Sequence, residues 1–296
     1  MSAVEPQTHA TRATVGAALA RGRDVLAAVG IESARVDAEW LLADVLALPR
    51  TRLVAEPQRV LDDDAAVRYA RAIRRRERRE PLQHIVGTQA FRELVVRVGP
   101  EAMVPRPETE TLVDWALALL PEVPSPVVVD VGTGTGCIAC AIAAERPATR
   151  VVALEISPAA AALARANVTA HGLDTRVTVV ESDLFAALGG LRADLIVANL
   201  PYLPSALIDT LTPEVSRFDP RLALDGGADG LDAIRRLAAE VPEHLTAGGA
   251  LVLETAGGPQ AMVTAELLRS AGLTHVRTRR DLAGVERFVA ATEPTT

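Results

Sequence analysis

The chain has 296 residues, 49% hydrophobic and 23% charged, which is enough apolar material for a large buried core and too much for a disordered tail. Its formal net charge of −7 counts against a general nucleic-acid or membrane-surface binder, because the surface as a whole repels polyanions. Cys137 and Cys140 are the only thiols, which excludes a disulfide framework, and no early apolar run of about 18 residues reads as a signal peptide or membrane span. A cytoplasmic protein is expected.

Residues 1–82 read as a helical domain. Apolar periodicity predicts helices over 15–29, 34–46 and 62–79, with Ser33 opening the second and breaks at Gly30, Pro49 and Pro57. From Gln83 the pattern turns to short apolar alternation, with turn residues at Gly87 and Gly99-Pro100, so a β-hairpin linker is expected over 83–104. A helix over 108–120 follows, with acidic residues in its first turn, where the macrodipole favours them. The remainder, 105–296, alternates strand and helix. Strands are predicted at 127–131, 151–156, 177–182, 195–198, 250–255, 276–278 and 288–291, and helices at 137–146, 158–171, 231–245 and 260–271. The continuous apolar strands require cover on both faces, the mark of an α/β fold with a parallel, doubly wound sheet.

Asp130-Val131-Gly132-Thr133-Gly134-Thr135-Gly136 joins a strand to a helix, and its glycines permit a tight turn and close approach of a ligand to the backbone. The dinucleotide fingerprint would need glycine where Cys137 stands. The G-x-G-x-G spacing with an acid two residues ahead resembles the S-adenosylmethionine loop of class I methyltransferases. Taken alone, the loop is also readable as a glycine-rich turn without a ligand. Glu155 ends the second strand of this region, where a carboxylate can accept both ribose hydroxyls, and Asp183 ends the third, near the expected adenine position. Singly, each is also readable as a solvated strand end.

The fourth strand presents Asn199-Leu200-Pro201-Tyr202 at the same edge. This segment resembles the Asn-Pro-Pro-Tyr motif of methyltransferases acting on planar amino groups, either exocyclic base nitrogens or glutamine amides. An amide nitrogen is a poor nucleophile, so both its N–H bonds must be held by acceptors while the nitrogen is aimed at the methyl group. The resemblance assigns the acceptors to the Asn199 side-chain oxygen and the Leu200 carbonyl, and gives Tyr202 a flat face against the amide. Leu200 stands where the motif usually has proline, although Pro201 still biases it toward an extended conformation.

Further segments, Arg35-Val36-Asp37-Ala38-Glu39, Pro81 to Gly87 with Phe91, Val104-Pro105-Arg106-Pro107-Glu108-Thr109-Glu110 and Ala223 to Leu231, are similar to the HemK/PrmC family of protein-(glutamine-N5) methyltransferases. The segment from Glu254 to Gln260 is longer than the corresponding family segment. The resemblance implies a seven-stranded, Rossmann-like class I methyltransferase domain using S-adenosyl-L-methionine, with the glutamine of a peptide chain release factor as acceptor. It implies cofactor contacts from Gly132 to Gly136, Glu155, the backbone at Leu184, and Asn199. It makes Phe91 and Arg106 candidates to shape the glutamine pocket; their competing readings are hairpin core for Phe91 and an ion pair with Glu108 or Glu110 for Arg106. The helical domain is expected to dock the release factor.

Cys137 and Cys140 have redox spacing but read as small buried helix residues, and no metal-ligand interval appears among the histidines. The basic run from Arg74 to Glu80 reads as a solvated helix face, with a surface for the release factor or its RNA surroundings as the other reading. Three other functions stay open on sequence. One is a paralogue acting on a small molecule, one a DNA adenine methyltransferase, disfavoured by charge, and one a cofactor-binding module that only docks on a partner.

Overall fold

The computed structural model describes residues 13–295; the expected start of the helical domain at residue 1 lies outside the described residues. The chain divides into two compact units, one ending at Val86 and one beginning at Gly87.

The first unit holds α1 (Val15–Ala28), α2 (Ala34–Leu46), α3 (Arg50–Ala55), α4 (Asp63–Glu77) and α5 (Leu82–Val86). Thr14 and Asp62 cap α1 and α4, accepting from the backbone N–H groups of Ala17 (3.3 Å) and Ala65 (2.7 Å). Ser33 makes no side-chain cap bond; the Ala34 N–H bonds back to the Ile31 carbonyl instead, in a turn. The short helices α3 and α5 were not predicted, since five or six residues are too few to show a helical period. Leu26, Leu41, Leu42 and Leu53 centre the core.

The basic run is only partly a solvated face. The Arg76 side chain is 8% exposed and donates from Nε to Asp37 Oδ2 at 2.7 Å, and Asp37 is equally buried. Arg75 donates from Nε to Glu80 at 2.9 Å. Removing Asp37 takes from Arg76 the buried carboxylate that its Nε meets, although Arg76 also donates to the Glu80 carbonyl at 3.2 Å. Asp37→Ala is expected to destabilise the helical unit by about 3–5 kcal/mol, as read by urea unfolding, whereas an apolar replacement of both partners recovers most of that loss.

The second unit opens with an antiparallel hairpin, β1 (Thr88–Phe91) and β2 (Leu94–Arg97), with Thr88 opposite Arg97. The hairpin belongs to this unit: Phe91 is 1% exposed in the same apolar cluster as Leu112, Trp115 and Ile142. Then come α6 (Pro107–Leu119), β3 (Val127–Val131), α7 (Cys137–Glu145), β4 (Arg150–Glu155), α8 (Pro158–Ala170), β5 (Val177–Glu181) and β6 (Ala193–Ala198). A segment with two one-turn helices, α9 (Ser205–Ile208) and α10 (Pro213–Ser216), leads to α11 (Asp232–His244), β7 (Leu245–Glu254), α12 (Pro259–Ser270), β8 (Thr274–Arg280) and β9 (Glu286–Thr292).

The seven strands lie in the order β5-β4-β3-β6-β7-β9-β8. Strands β3 to β7 pair in parallel, and β9 runs antiparallel to both β7 and β8. One face carries the cluster of Val128, Ile142 and Leu195, and the other the cluster of Val129, Ile196 and Leu237. Alternate residues of one strand therefore serve opposite cores, which is why the run Val127-Val128-Val129 is apolar throughout.

Candidate active site

The chain builds the sheet outward from β3 through β4 to β5, then returns to place β6 on the other side of β3. The connections leaving β3 and β6 diverge there, opening a crevice at the strands' C-terminal ends. A cavity of about 330 Å³ occupies this edge, within the size range of small-molecule sites. Four strand ends supply its walls: Gly132 to Thr135 after β3, Glu155 to Ser157 at β4, Ser182 to Leu184 after β5, and Asn199 to Pro201 after β6.

The glycine loop is held from several sides. The Leu154 carbonyl accepts from the N–H groups of both Gly132 and Thr133, each at 2.9 Å. Asp130 Oδ2 accepts from Thr133 Oγ1 at 2.5 Å and from the Ala139 N–H at 3.2 Å. Asn167, fully buried, donates to the Thr135 carbonyl at 2.8 Å and exchanges two hydrogen bonds with the backbone of Arg97. Gly136 has φ of 79°, and a Cβ there would meet Ala164 at 3.2 Å, so α7 and α8 approach closely only because this residue is glycine.

At the rim, Glu155 Oε2 accepts from the Gly134 N–H at 2.8 Å and Oε1 from the Ser157 N–H at 2.9 Å. One lone pair on each oxygen remains for a ligand. Asp183 pairs with Arg236 at 2.9 Å, and both side chains line the cavity. Leu184 is buried with φ of 46°, and its carbonyl accepts from Ser182 Oγ at 2.8 Å. Ile156, half exposed beside Glu155, adds an apolar wall.

The turn after β6 is anchored from behind. Asn199 Nδ2 donates to Thr109 Oγ1 at 3.2 Å, and Thr109 Oγ1 donates to Glu254 Oε2 at 2.9 Å. The Tyr202 hydroxyl donates to Glu254 Oε1 at 3.1 Å. Gln260 Nε2 reaches the carbonyls of Tyr202 (2.9 Å) and Gly230 (3.1 Å), tying two loops together. Asn199 Oδ1 and the Leu200 carbonyl accept no hydrogen bond among the described residues. Leu200 is 6% exposed and would touch a Cβ on Gly132 through its Cδ2, so the leucine fills space under the glycine loop.

Several expected site residues stand elsewhere. Asp130 does not line the cavity; it is fully buried beneath the loop, where burial pushes its carboxyl up to about 7. Gly136 serves helix packing rather than the cavity wall. Phe91 is hairpin core, because the end of β1 inserts among the apolar residues of α6 and α7. Arg106 pairs with the buried Asp219 at 2.7 Å, not with Glu108 or Glu110; Glu110 instead accepts from the Arg92 N–H. Tyr202 is outside the set of residues that wall the cavity; its hydroxyl donates to Glu254, and burial raises its phenol above the ordinary value.

The structure adds cavity residues that periodicity did not single out: Met103, Pro105, Thr109, Leu222 and Arg236. Thr109 lies inside the Pro-Arg-Pro-Glu-Thr-Glu run, and that run was the available signal for it. The thiols of Cys137 and Cys140 are buried and both pushed up to about 12 by that burial, which leaves them protonated rather than reactive. Cys137 forms part of the cavity wall. Among the described residues, no group of three His, Cys, Asp or Glu could hold a metal ion, and no helix is long and apolar enough to cross a membrane.

Asp130 separates support of the loop from contact with a ligand. Asp130→Ala leaves the Thr133 hydroxyl and Ala139 N–H without their acceptor and is expected to cost about 1–3 kcal/mol. Asp130→Asn keeps an acceptor oxygen. Because the folded-state carboxyl titrates near 7, above its ordinary 3.8, the stability it contributes is full below about 4 and is lost as pH rises through about 7. Thermal melts across this window are expected to show the asparagine variant gaining on the parent with rising pH.

Residues 17–87 match the PrmC N-terminal domain family, and residues 112–210 match the methyltransferase small domain family. The chain is 42% identical over 267 residues to the release factor glutamine methyltransferase of Geobacter sulfurreducens, covering 90% of this chain and 92% of that one. It is 45% identical over 266 residues to the release factor glutamine methyltransferase of Deinococcus radiodurans, covering 90% and 94% respectively. Among solved structures, a methyltransferase from Pyrococcus furiosus superposes with a TM-score of 0.51 at 17% identity, over 69% of this chain and 91% of that one; this likeness is one of fold alone.

Proposed function

The chain belongs to the release factor glutamine methyltransferase family, and on that premise we propose that it methylates the side-chain amide nitrogen of a glutamine in a peptide chain release factor. S-adenosylmethionine is the methyl donor. Similarity over nine-tenths of the chain to proteins of that name disfavours a paralogue acting on a small molecule and a module that only docks. Work on a translation factor also fits the cytoplasmic location expected from sequence.

The cavity suits this donor. The free lone pairs of Glu155 match a ribose diol, Ile156 and Leu184 offer apolar faces to a base, and the loop backbone from Gly132 to Thr135 borders the remaining space. Asp183, already balanced by Arg236, stands at the base end. When bound, S-adenosylmethionine supplies a methyl group made electrophilic by its sulfonium.

One observation carries the acceptor assignment: Asn199 Oδ1 and the Leu200 carbonyl, on adjacent residues at the cavity wall, have no hydrogen-bond partner among the described residues. Two acceptors match the two N–H bonds of a carboxamide. As the glutamine nitrogen gains its new bond it becomes positively charged, so both N–H groups become stronger donors. Asn199 and Leu200 therefore hold the transition state more tightly than the ground state. The charged nitrogen then releases a proton to water, restoring a neutral amide. The helical unit, in this reading, docks the release factor.

The test is transfer of labelled methyl from S-adenosylmethionine to a release factor. Label is expected on the factor and absent when its acceptor glutamine is replaced. Asn199→Ala is expected to lower kcat by about 10²–10³-fold while leaving cofactor affinity, read by calorimetry, within about tenfold of the parent. Equal loss of both would remove Asn199 from the acceptor role.

A further inference from the structure

The hydrogen bonds behind the acceptor turn have a fixed direction. Glu254, the last residue of β7, is 2% exposed, and each of its oxygens accepts one hydroxyl proton, from Thr109 at 2.9 Å and from Tyr202 at 3.1 Å. A threonine hydroxyl carries one proton. With that proton given to Glu254, Thr109 Oγ1 faces Asn199 as an acceptor, and the Asn199 atom standing 3.2 Å away is Nδ2. The amide group of Asn199 is thereby held with Oδ1 as its uncommitted end.

Shape alone does not decide this orientation. The oxygen and NH₂ of a carboxamide have nearly the same size, so a flip of Asn199 changes no packing and only reverses polarity. A flipped Asn199 would present N–H groups to the acceptor. It would then oppose the donors of a glutamine amide and favour the oxygens of a carboxylate.

We propose that Thr109 and Glu254 are positioning residues that set the polarity of Asn199, and through it make the site select a carboxamide over the isosteric carboxylate. The inference rests on the reading that Asn199 holds the acceptor glutamine. It explains why the residue at 254 is an acid. An ionised carboxylate accepts at both oxygens, whereas an amide at this position must turn a donor toward either Thr109 or Tyr202. If it turns toward Thr109, that hydroxyl is driven round to donate to Asn199 Oδ1, and the chain of hydrogen bonds runs backward. Burial raises the Glu254 carboxyl above its ordinary value, while the hydrogen bonds from Thr109 and Tyr202 and the charge of Arg287 favour its ionised form.

Specificity here is a difference between two affinities, so the test measures both. Parent, Thr109→Val, Thr109→Ser and Glu254→Gln proteins are assayed for methylation of a release factor. Each is also assayed for inhibition by the same factor carrying glutamate at the acceptor position, and for S-adenosylmethionine affinity by calorimetry. Thr109→Val keeps the shape of the side chain and removes the hydroxyl. It is expected to lower kcat and to bring the inhibition constant of the glutamate form about tenfold or more closer to the KM of the glutamine form, with cofactor affinity unchanged within about threefold. Thr109→Ser is expected to retain the parent's discrimination. Glu254→Gln is expected to relax discrimination as the valine does, which supplies the comparison should the valine variant melt near assay temperature. Loss of kcat in these variants with discrimination unchanged, or a serine variant as indiscriminate as the valine, would overturn the assignment. If the parent transfers no methyl to the factor, the acceptor reading itself fails and takes this inference with it.

Discussion

The reversal of strand order at β3 and β6 is the constraint from which the site follows. In a parallel sheet every strand ends at the same edge, and every connection must cross a face of the sheet to return. Where successive connections cross on opposite faces, the backbone cannot close over the strand ends. The glycine loop after β3 and the Asn199 turn after β6 are therefore neighbours across a gap although 63 or more residues separate them in the chain. Everything chemical about the molecule is arranged around that gap.

Carboxylates near it take different roles according to burial and partners. Asp130 is sealed beneath the loop and supports it through Thr133 and Ala139. Glu155 braces the loop by its N–H groups yet keeps acceptor capacity at the rim. Asp183 is balanced by an arginine on the surface. Glu254 is buried and bonded to hydroxyls, which orders the polar groups in front of it. Asp219 is buried too, but an arginine reaches it, and the bond joins the segment before α6 to the loop after α10. The residue type is the same or nearly so in each case; the surroundings decide which groups it meets and how much acceptor capacity it keeps.

The leucine at position 200 illustrates how packing can compensate for a lost backbone restraint. Proline there would lock φ. Leucine gives up that restraint but fills the space beneath Gly132, in the same apolar cluster as Leu184 and Leu231. The turn is further held at Tyr202 by Gln260, from the segment whose length departs from the family pattern. Positioning that one ring could supply is thus distributed over a buried side chain and a bridging amide.

Local pattern alone determined much of this protein. The strands of the sheet, the longer helices, the G-x-G-x-G loop and the Asn199 turn were all legible, because hydrophobic period, glycine and proline act over a few residues. Glu155 and Asp183 were placed at this edge from their positions at strand ends, Asn199 from its strand end and its motif, and Leu184 from the family resemblance, and all four line the cavity. What only the tertiary structure decided is which polar atoms face inward to one another and which face the gap. Phe91, Arg106, Asp130 and Tyr202 were candidates by motif and are tied by contact to the hairpin core, Asp219, the glycine loop and Glu254, and Thr109 and Glu254, quoted only within longer segments, meet behind the Asn199 turn. Those contacts include hydrogen bonds spanning up to 145 residues of sequence, and a bond between distant residues leaves no periodic trace in either segment it joins.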